Sequence, residues 1–93
     1  MPTRKFEVKG RVQGVGFRWF TRTQAINLGL SGNTRNKLNG DVEVVLEGSN
    51  KDLEQMEGLL KQGPPSSRVD EIDSKEVKEE LGFGFEILPT SSE

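Results

Sequence analysis

Ninety-three residues carry 13 Lys and Arg against 15 Asp and Glu, a formal net charge of −2, with no Cys and no His. The length suits one domain with its own core, and the charge lacks the basic footprint of a nucleic-acid binder. Without thiols or imidazoles there is no disulfide framework, thiol nucleophile, Ser-His-Asp triad, usual zinc cluster or phosphohistidine intermediate.

No apolar run nears the roughly 20 residues of a membrane span. Met1-Pro2-Thr3-Arg4-Lys5 lacks the apolar stretch of a signal peptide, so a soluble, cytoplasmic chain is expected. From Arg4 to Val12 the sequence alternates, with Phe6, Val8, Gly10 and Val12 on one face, which predicts a half-buried strand. Phe17, Phe20, Ala25 and Leu28 then recur at helical spacing, and Gly29 stands where a helix ends. Leu30 to Leu38 and Asp41 to Leu46 flank Asn39-Gly40, the sequence of a type I′ hairpin turn with positive φ at both central residues. Val45 breaks the alternation of Val42, Val44 and Leu46, as a strand covered on both faces allows.

Ser49 suits the cap of a second helix, with Asp52 as a capping-box acid and Leu53, Met56 and Leu60 as its apolar stripe. Gly63-Pro64-Pro65 stops it. Arg68 to Val77 predicts a strand with a bulge, since Val69 and Ile72 sit three apart. Phe83, Phe85 and Ile87 predict a short final strand, and Thr90 to Glu93 a frayed tail. All five phenylalanines are expected in the core and Trp19 packed, with the acids from Asp70 to Glu80 in solvent. The order β-α-β-β-α-β plus a short strand predicts a single α+β domain over residues 1–93. It is a ferredoxin-like split β-α-β, an antiparallel sheet with two helices on one face.

The stretch between the first strand and first helix carries the chemistry. In Gly10-Arg11-Val12-Gln13-Gly14-Val15-Gly16-Phe17-Arg18, two glycines permit backbone conformations that turn successive N–H groups into one concavity. The helix start adds its own unpaired N–H groups and the positive end of its dipole. Arg18 adds a guanidinium fork suited to phosphate oxygens. The residues therefore suit a small dianion, a phosphate or sulfate. The turn by itself equally suits a bare strand-to-helix connection, and Arg18 by itself a solvated helix residue. A dinucleotide fingerprint fails because Trp19 replaces its third glycine, and the Gly-Lys-Ser/Thr of a nucleotide phosphate loop is absent.

The nine-residue stretch resembles the signature of the acylphosphatase family. The similarity continues through Phe20, Ala25, Leu28-Gly29-Leu30, Gly32, Asn36, Gly40, Val42-Glu43 and Glu47-Gly48. It returns in Gly63-Pro64-Pro65, Val69 and Phe85-Glu86-Ile87. Thr34 and Asn39 depart from the Val and Asp frequent in that family. The resemblance implies hydrolysis of a carboxyl–phosphate anhydride to a carboxylate and inorganic phosphate, without metal or organic cofactor, by a monomer acting on small acyl phosphates. It also implies that Arg18 binds the substrate phosphate, that Asn36 orients the attacking water, and that the backbone amides of Gln13, Gly14, Val15, Gly16 and Phe17 cradle the phosphate. Asn36 alone would pass for a structural turn residue.

With no His, and with Asp41 and Glu43 on or near the hairpin, no general base stands out, so a substrate phosphate oxygen is expected to take the water's proton. Two other functions compete. An RNA-recognition domain shares the element order, but Asp41-Val42-Glu43-Val44-Val45-Leu46-Glu47 is acidic and lacks stacking aromatics. A phosphate-binding accessory domain without catalysis would keep the fold, whereas retention of both Arg18 and Asn36 in a free chain favours an enzyme.

Overall fold

A computed structural model describes residues 1–91. Its elements in chain order are β1 (Thr3–Arg11), α1 (Phe17–Asn27), β2 (Ser31–Asn36), β3 (Val42–Glu47), α2 (Asn50–Gln62), β4 (Arg68–Glu76) and β5 (Phe85–Ile87). Five strands form one sheet in the order β4-β1-β3-β2-β5. The first four pair antiparallel, as expected of the split β-α-β arrangement. β5 corrects the all-antiparallel expectation: it lies parallel to β2, Gly32 beside Phe85 and Thr34 beside Ile87. The sheet is mixed because the chain leaves β4 on one edge and returns to the far edge.

Register explains which side chains are buried. Directly opposed residues in an antiparallel pair share a face. Val8, Val42 and Asn36 form one row, Phe6, Val44 and Thr34 the next, and Arg4, Leu46 and Gly32 a third. Phe6, Val8, Val42, Val44 and Leu46 pack against Phe17 and Ala25 of α1 and Leu53, Met56 and Leu60 of α2. Thr34 lies in that core with its hydroxyl satisfied, donating to the Glu43 carbonyl at 2.8 Å. Both helices thus cover one face.

The other face is charged. Glu43 there receives Lys5 at 3.1 Å and Arg35 at 2.9 Å. Glu7 receives Lys37 at 3.0 Å and Lys9 at 3.3 Å, and Lys9 also reaches Asp41 at 3.0 Å. These long side chains roof Glu43 and Val45, so β3 is buried on both sides although helices cover only one.

Helix ends follow their local chemistry. Gly29 (φ 71°) closes α1: Leu30 N–H reaches the Ala25 carbonyl at 2.9 Å and Gly29 N–H that of Ile26 at 3.0 Å, a Schellman pair. Ser49 Oγ accepts from Asp52 N–H at 3.2 Å at the start of α2, a cap worth about 1 kcal/mol. The expected bulge falls where β1 passes from Lys9, opposite Glu71, to Gly10, opposite Val69. A Cβ on Gly10 would run into the Arg68 carbonyl oxygen, so the bulge requires glycine.

Three local expectations fail. The hairpin is not a two-residue type I′ turn, because Asn39 keeps negative φ and only Gly40 (φ 96°) is left-handed. Gly40 N–H bonds the Lys37 carbonyl at 3.1 Å and Lys37 N–H the Asp41 carbonyl at 2.9 Å, giving a three-residue loop. Asn39 serves it through its side chain, accepting from Asp41 N–H at 2.9 Å. Phe83 is fully exposed, since β5 starts only at Phe85 and the left-handed Gly84 (φ 82°) turns the chain before it. Trp19 is also exposed, with the Arg22 guanidinium 5.8 Å from its ring centre. Phe20 is half-buried, 6.2 Å from Phe17. The acids Asp70, Glu71, Asp73, Glu76, Glu79 and Glu80 are exposed as expected. In the tail, residues 92 and 93 lie outside the described residues.

Candidate active site

The connection between β1 and α1 is built on two left-handed glycines, Gly14 (φ 74°) and Gly16 (φ 79°), with Val15 between them in ordinary negative φ. Alternation of this kind turns consecutive N–H groups inward as a nest. Gly16 is also the N-cap of α1, in left-handed conformation and with no side-chain cap. The first backbone bond of the helix is that of Phe20 N–H to the Gly16 carbonyl, at 3.0 Å. Among the described residues, no N–H from Gln13 through Trp19 finds a protein acceptor. Ordinary helix starts use Ser, Thr, Asp or Asn to satisfy one such donor. Here all are left to an outside acceptor.

A Cβ on Gly14 or Gly16 would meet nothing within 4 Å. The glycines therefore answer to backbone conformation, not to crowding by protein atoms, and the space beside the turn is open.

Arg18 is the second residue of α1 and half-buried. It makes no ion pair with any described residue, and the first turn of α1 contains no acid. A cation at a helix N-terminus opposes the dipole. Unpaired N–H groups and an unpaired guanidinium together form a concentrated positive surface, to which an anion is the complement.

Asn36 ends β2. Its row-mates Val42 and Val8 belong to the core face, so Asn36 points to the side covered by the helices. The antiparallel pairing brings the C-terminal ends of β1 and β2 to the same end of the sheet, where the glycine turn begins. The Asn36 carbonyl accepts from Ser91 N–H at 2.9 Å, but its side-chain Oδ1 is buried with no hydrogen-bond partner. A buried acceptor left unmatched costs about 1–3 kcal/mol; Asn33 Oδ1, on the opposite face of β2, is buried unmatched as well, so the orphan acceptor does not by itself single out Asn36.

Sequence reasoning missed the side chain of Gln13. Its Nε2 donates to the Lys37 carbonyl at 2.7 Å and to the Asp41 carbonyl at 2.8 Å. Partners 24 and 28 residues away leave no local signal.

The carboxylates nearest the hairpin are engaged on the opposite face. Burial works to raise the Glu43 carboxyl, but hydrogen bonds from Arg35 and Lys5 outweigh it and hold it below the ordinary value. Asp41 pairs with Lys9. Neither offers a free base on the helix-covered side. A cleft of about 1040 Å³, lined by Lys5, Arg35, Lys37 and Glu43 among others, also opens on that charged face. That cleft is lined by paired charges, whereas unpaired donors point to the nest.

An acylphosphatase family model matches residues 4–87. The acylphosphatase of Mycobacterium sp. (strain KMS) is 49% identical over 79 residues, covering 82% of this chain and 84% of that one. That of Vibrio vulnificus (strain CMCP6) is 46% identical over 84 residues, covering 90% and 93%. The crystal structure of acylphosphatase from Bacillus subtilis matches with a TM-score of 0.89 at 36% identity, covering 95% of this chain and 99% of that one. Full-length HypF in its phosphate- and nucleotide-bound form matches with a TM-score of 0.87 at 33% identity, over 98% of this chain but only 12% of its own. Similarity along almost all of its sequence and agreement in fold make the conclusion direct: this chain belongs to the acylphosphatase family.

Proposed function

We propose that this member of the acylphosphatase family works as a free enzyme that hydrolyses acyl phosphates to a carboxylate and inorganic phosphate. The observation that carries this reading is the uninterrupted run of unpaired N–H groups from Gln13 through Trp19, with unpaired Arg18 beside them. The amides of Gln13, Gly14, Val15, Gly16 and Phe17 and the Arg18 fork hold the phosphate oxygens, where negative charge must be stabilised. The side-chain amide of Asn36, able both to donate and to accept, holds a water in line with the bond to be broken.

The water oxygen bonds to phosphorus as the phosphorus–acyl oxygen bond breaks, and the leaving carboxylate keeps the electron pair. A phosphate oxygen of the substrate takes the water's proton. A stable carboxylate as leaving group makes this weak activation of water sufficient, where an ester would demand a base. No metal or organic cofactor enters the scheme. The enzyme is read as a single-domain, cytoplasmic monomer, acting on small molecules and not on nucleic acid; the net charge of −2 supports the last point. No helix among the described residues is long and apolar enough to cross a membrane.

Following benzoyl phosphate spectrophotometrically, with phenyl phosphate as the ester control, tests the reading. Hydrolysis of the anhydride and not the ester is expected; absence of benzoyl phosphate turnover overturns it. The likeness to a small part of the much longer HypF favours a second reading, in which the fold serves as an accessory phosphate-binding domain. Phosphate binding without any turnover would select it.

A further inference from the structure

We propose that Gln13 is a positioning residue that couples the phosphate nest to Asn36 through its side chain. Gln13 is divided between two tasks. Its backbone N–H belongs to the unpaired run of the nest. Its side-chain Nε2 has two hydrogens, and both are spent on the hairpin that follows Asn36: one on the Lys37 carbonyl at 2.7 Å, the other on the Asp41 carbonyl at 2.8 Å.

Those carbonyls close the base of the hairpin. The Lys37 carbonyl also accepts from Gly40 N–H, and the Asp41 carbonyl from Lys37 N–H. The Lys37 N–H belongs to the peptide group joining Asn36 to Lys37, whose carbonyl is held by Ser91 N–H. Gln13 therefore tethers the residue next to Asn36, from a position only one residue before Gly14. No backbone ladder does this, since β1 and β2 are separated by β3. Ion pairs of Lys37 with Glu7 and of Lys9 with Asp41 also tie the hairpin to β1, on the charged face; among the described residues, the direct polar contact from the nest itself to the hairpin is the side chain of Gln13. In-line attack tolerates little misplacement: about 1 Å can cost about 10²-fold in rate. This amide, with both hydrogens committed, adds a direct constraint on the distance between nest and hairpin to those of the ladder and the ion pairs.

The inference rests on Asn36 orienting the water. Its test combines kcat, inhibition by inorganic phosphate and a double-mutant cycle. Gln13→Met keeps the length and removes the donors; Gln13→Asn keeps the donors and removes the reach. Each is assayed below its own Tm. Both should lower kcat for benzoyl phosphate by about 10- to 100-fold while the phosphate inhibition constant moves less than about threefold. On an Asn36→Ala background, Gln13→Met should cost less than about twofold, because a misplaced Asn36 has nothing left to lose. Unchanged kcat in Gln13→Met, a full repeat of its loss on the Asn36→Ala background, or a weakening of phosphate inhibition equal to the loss in kcat would each overturn the coupling. Asn36→Ala with wild-type kcat would instead overturn the reading beneath it, and the coupling with it.

Discussion

Val8 and Asn36 flank Val42 in one row across the sheet, so a core valine and the amide ending β2 face the same helices. Asn36 is thus held on one side by the β2–β3 ladder and on the other by the hairpin that Gln13 ties down. Asn36→Ala should lower kcat by about 10²–10³-fold, the usual loss for an oriented donor, with phosphate inhibition largely intact. Because Oδ1 is buried without a partner, the same change should leave Tm unaltered or raised. Steady-state kinetics and thermal unfolding check both, and a pure KM effect would contradict water orientation.

Arg18 stands unpaired at the positive end of α1. Arg18→Ala should abolish turnover and phosphate inhibition together while stabilising the helix start slightly, by about 0.3–1 kcal/mol, as a charge opposed to the dipole is removed. Arg18→Lys should also fail in turnover, since a point charge lacks the bidentate fork. Retained phosphate inhibition in the alanine variant would remove Arg18 from the site.

Gly16 is left-handed, and a Cβ there meets nothing within 4 Å. Gly16→Ala therefore carries only backbone strain, about 1–2 kcal/mol, or relaxes by rotating the nest amides outward. The expected outcome is a modest fall in Tm with a much larger loss of phosphate affinity, read by calorimetry with inorganic phosphate. Full affinity at reduced Tm would show that the nest does not depend on this conformation.

On the charged face, its place in the network of the Asp41 carboxyl, Lys37 and Lys9 holds the Glu7 carboxyl down from 4.5 to about 2. Glu43 is lowered in the same direction. A depressed carboxylate stabilises the fold above its unfolded value, and that contribution disappears as pH falls toward the folded one. Urea midpoints should therefore hold at neutral pH and decline between 4.5 and about 2. Glu7→Gln should start lower and converge on the wild type across that interval. Parallel curves would show that Glu7 is not the group responsible.

What the sequence could and could not foretell divides by range. Alternation in β1, the helical stripes and the Ser49 and Gly29 ends are local, and the structure repeats them. The nest was legible because Gly14, Gly16 and Arg18 are neighbours. The role proposed for Asn36 rests on family resemblance, since its surroundings are set by pairing with β3 and leave no local signal. Phe83 misled because its spacing from Phe85 suits a strand, while the pairing that would bury it begins two residues later. Asn39-Gly40 was right as a hairpin and wrong as a turn type, because the Asn39 side chain supplies a bond that favours the longer loop. The Gln13 contacts join segments distant in the chain and were invisible to periodicity.

β4 gives the sheet one nine-residue rim, with β1 on its inner side and, among the described residues, no strand beyond it. Such a rim is a template on which another chain could extend the ladder into an aggregate. Here Arg68, Asp70, Glu71, Asp73, Lys75 and Glu76 all stand exposed along it, and the bulge at Gly10 breaks its regular pleat. A second strand docking there would bring charge against charge and meet a bent backbone. Charged side chains and the bulge together guard this edge against the addition of another strand.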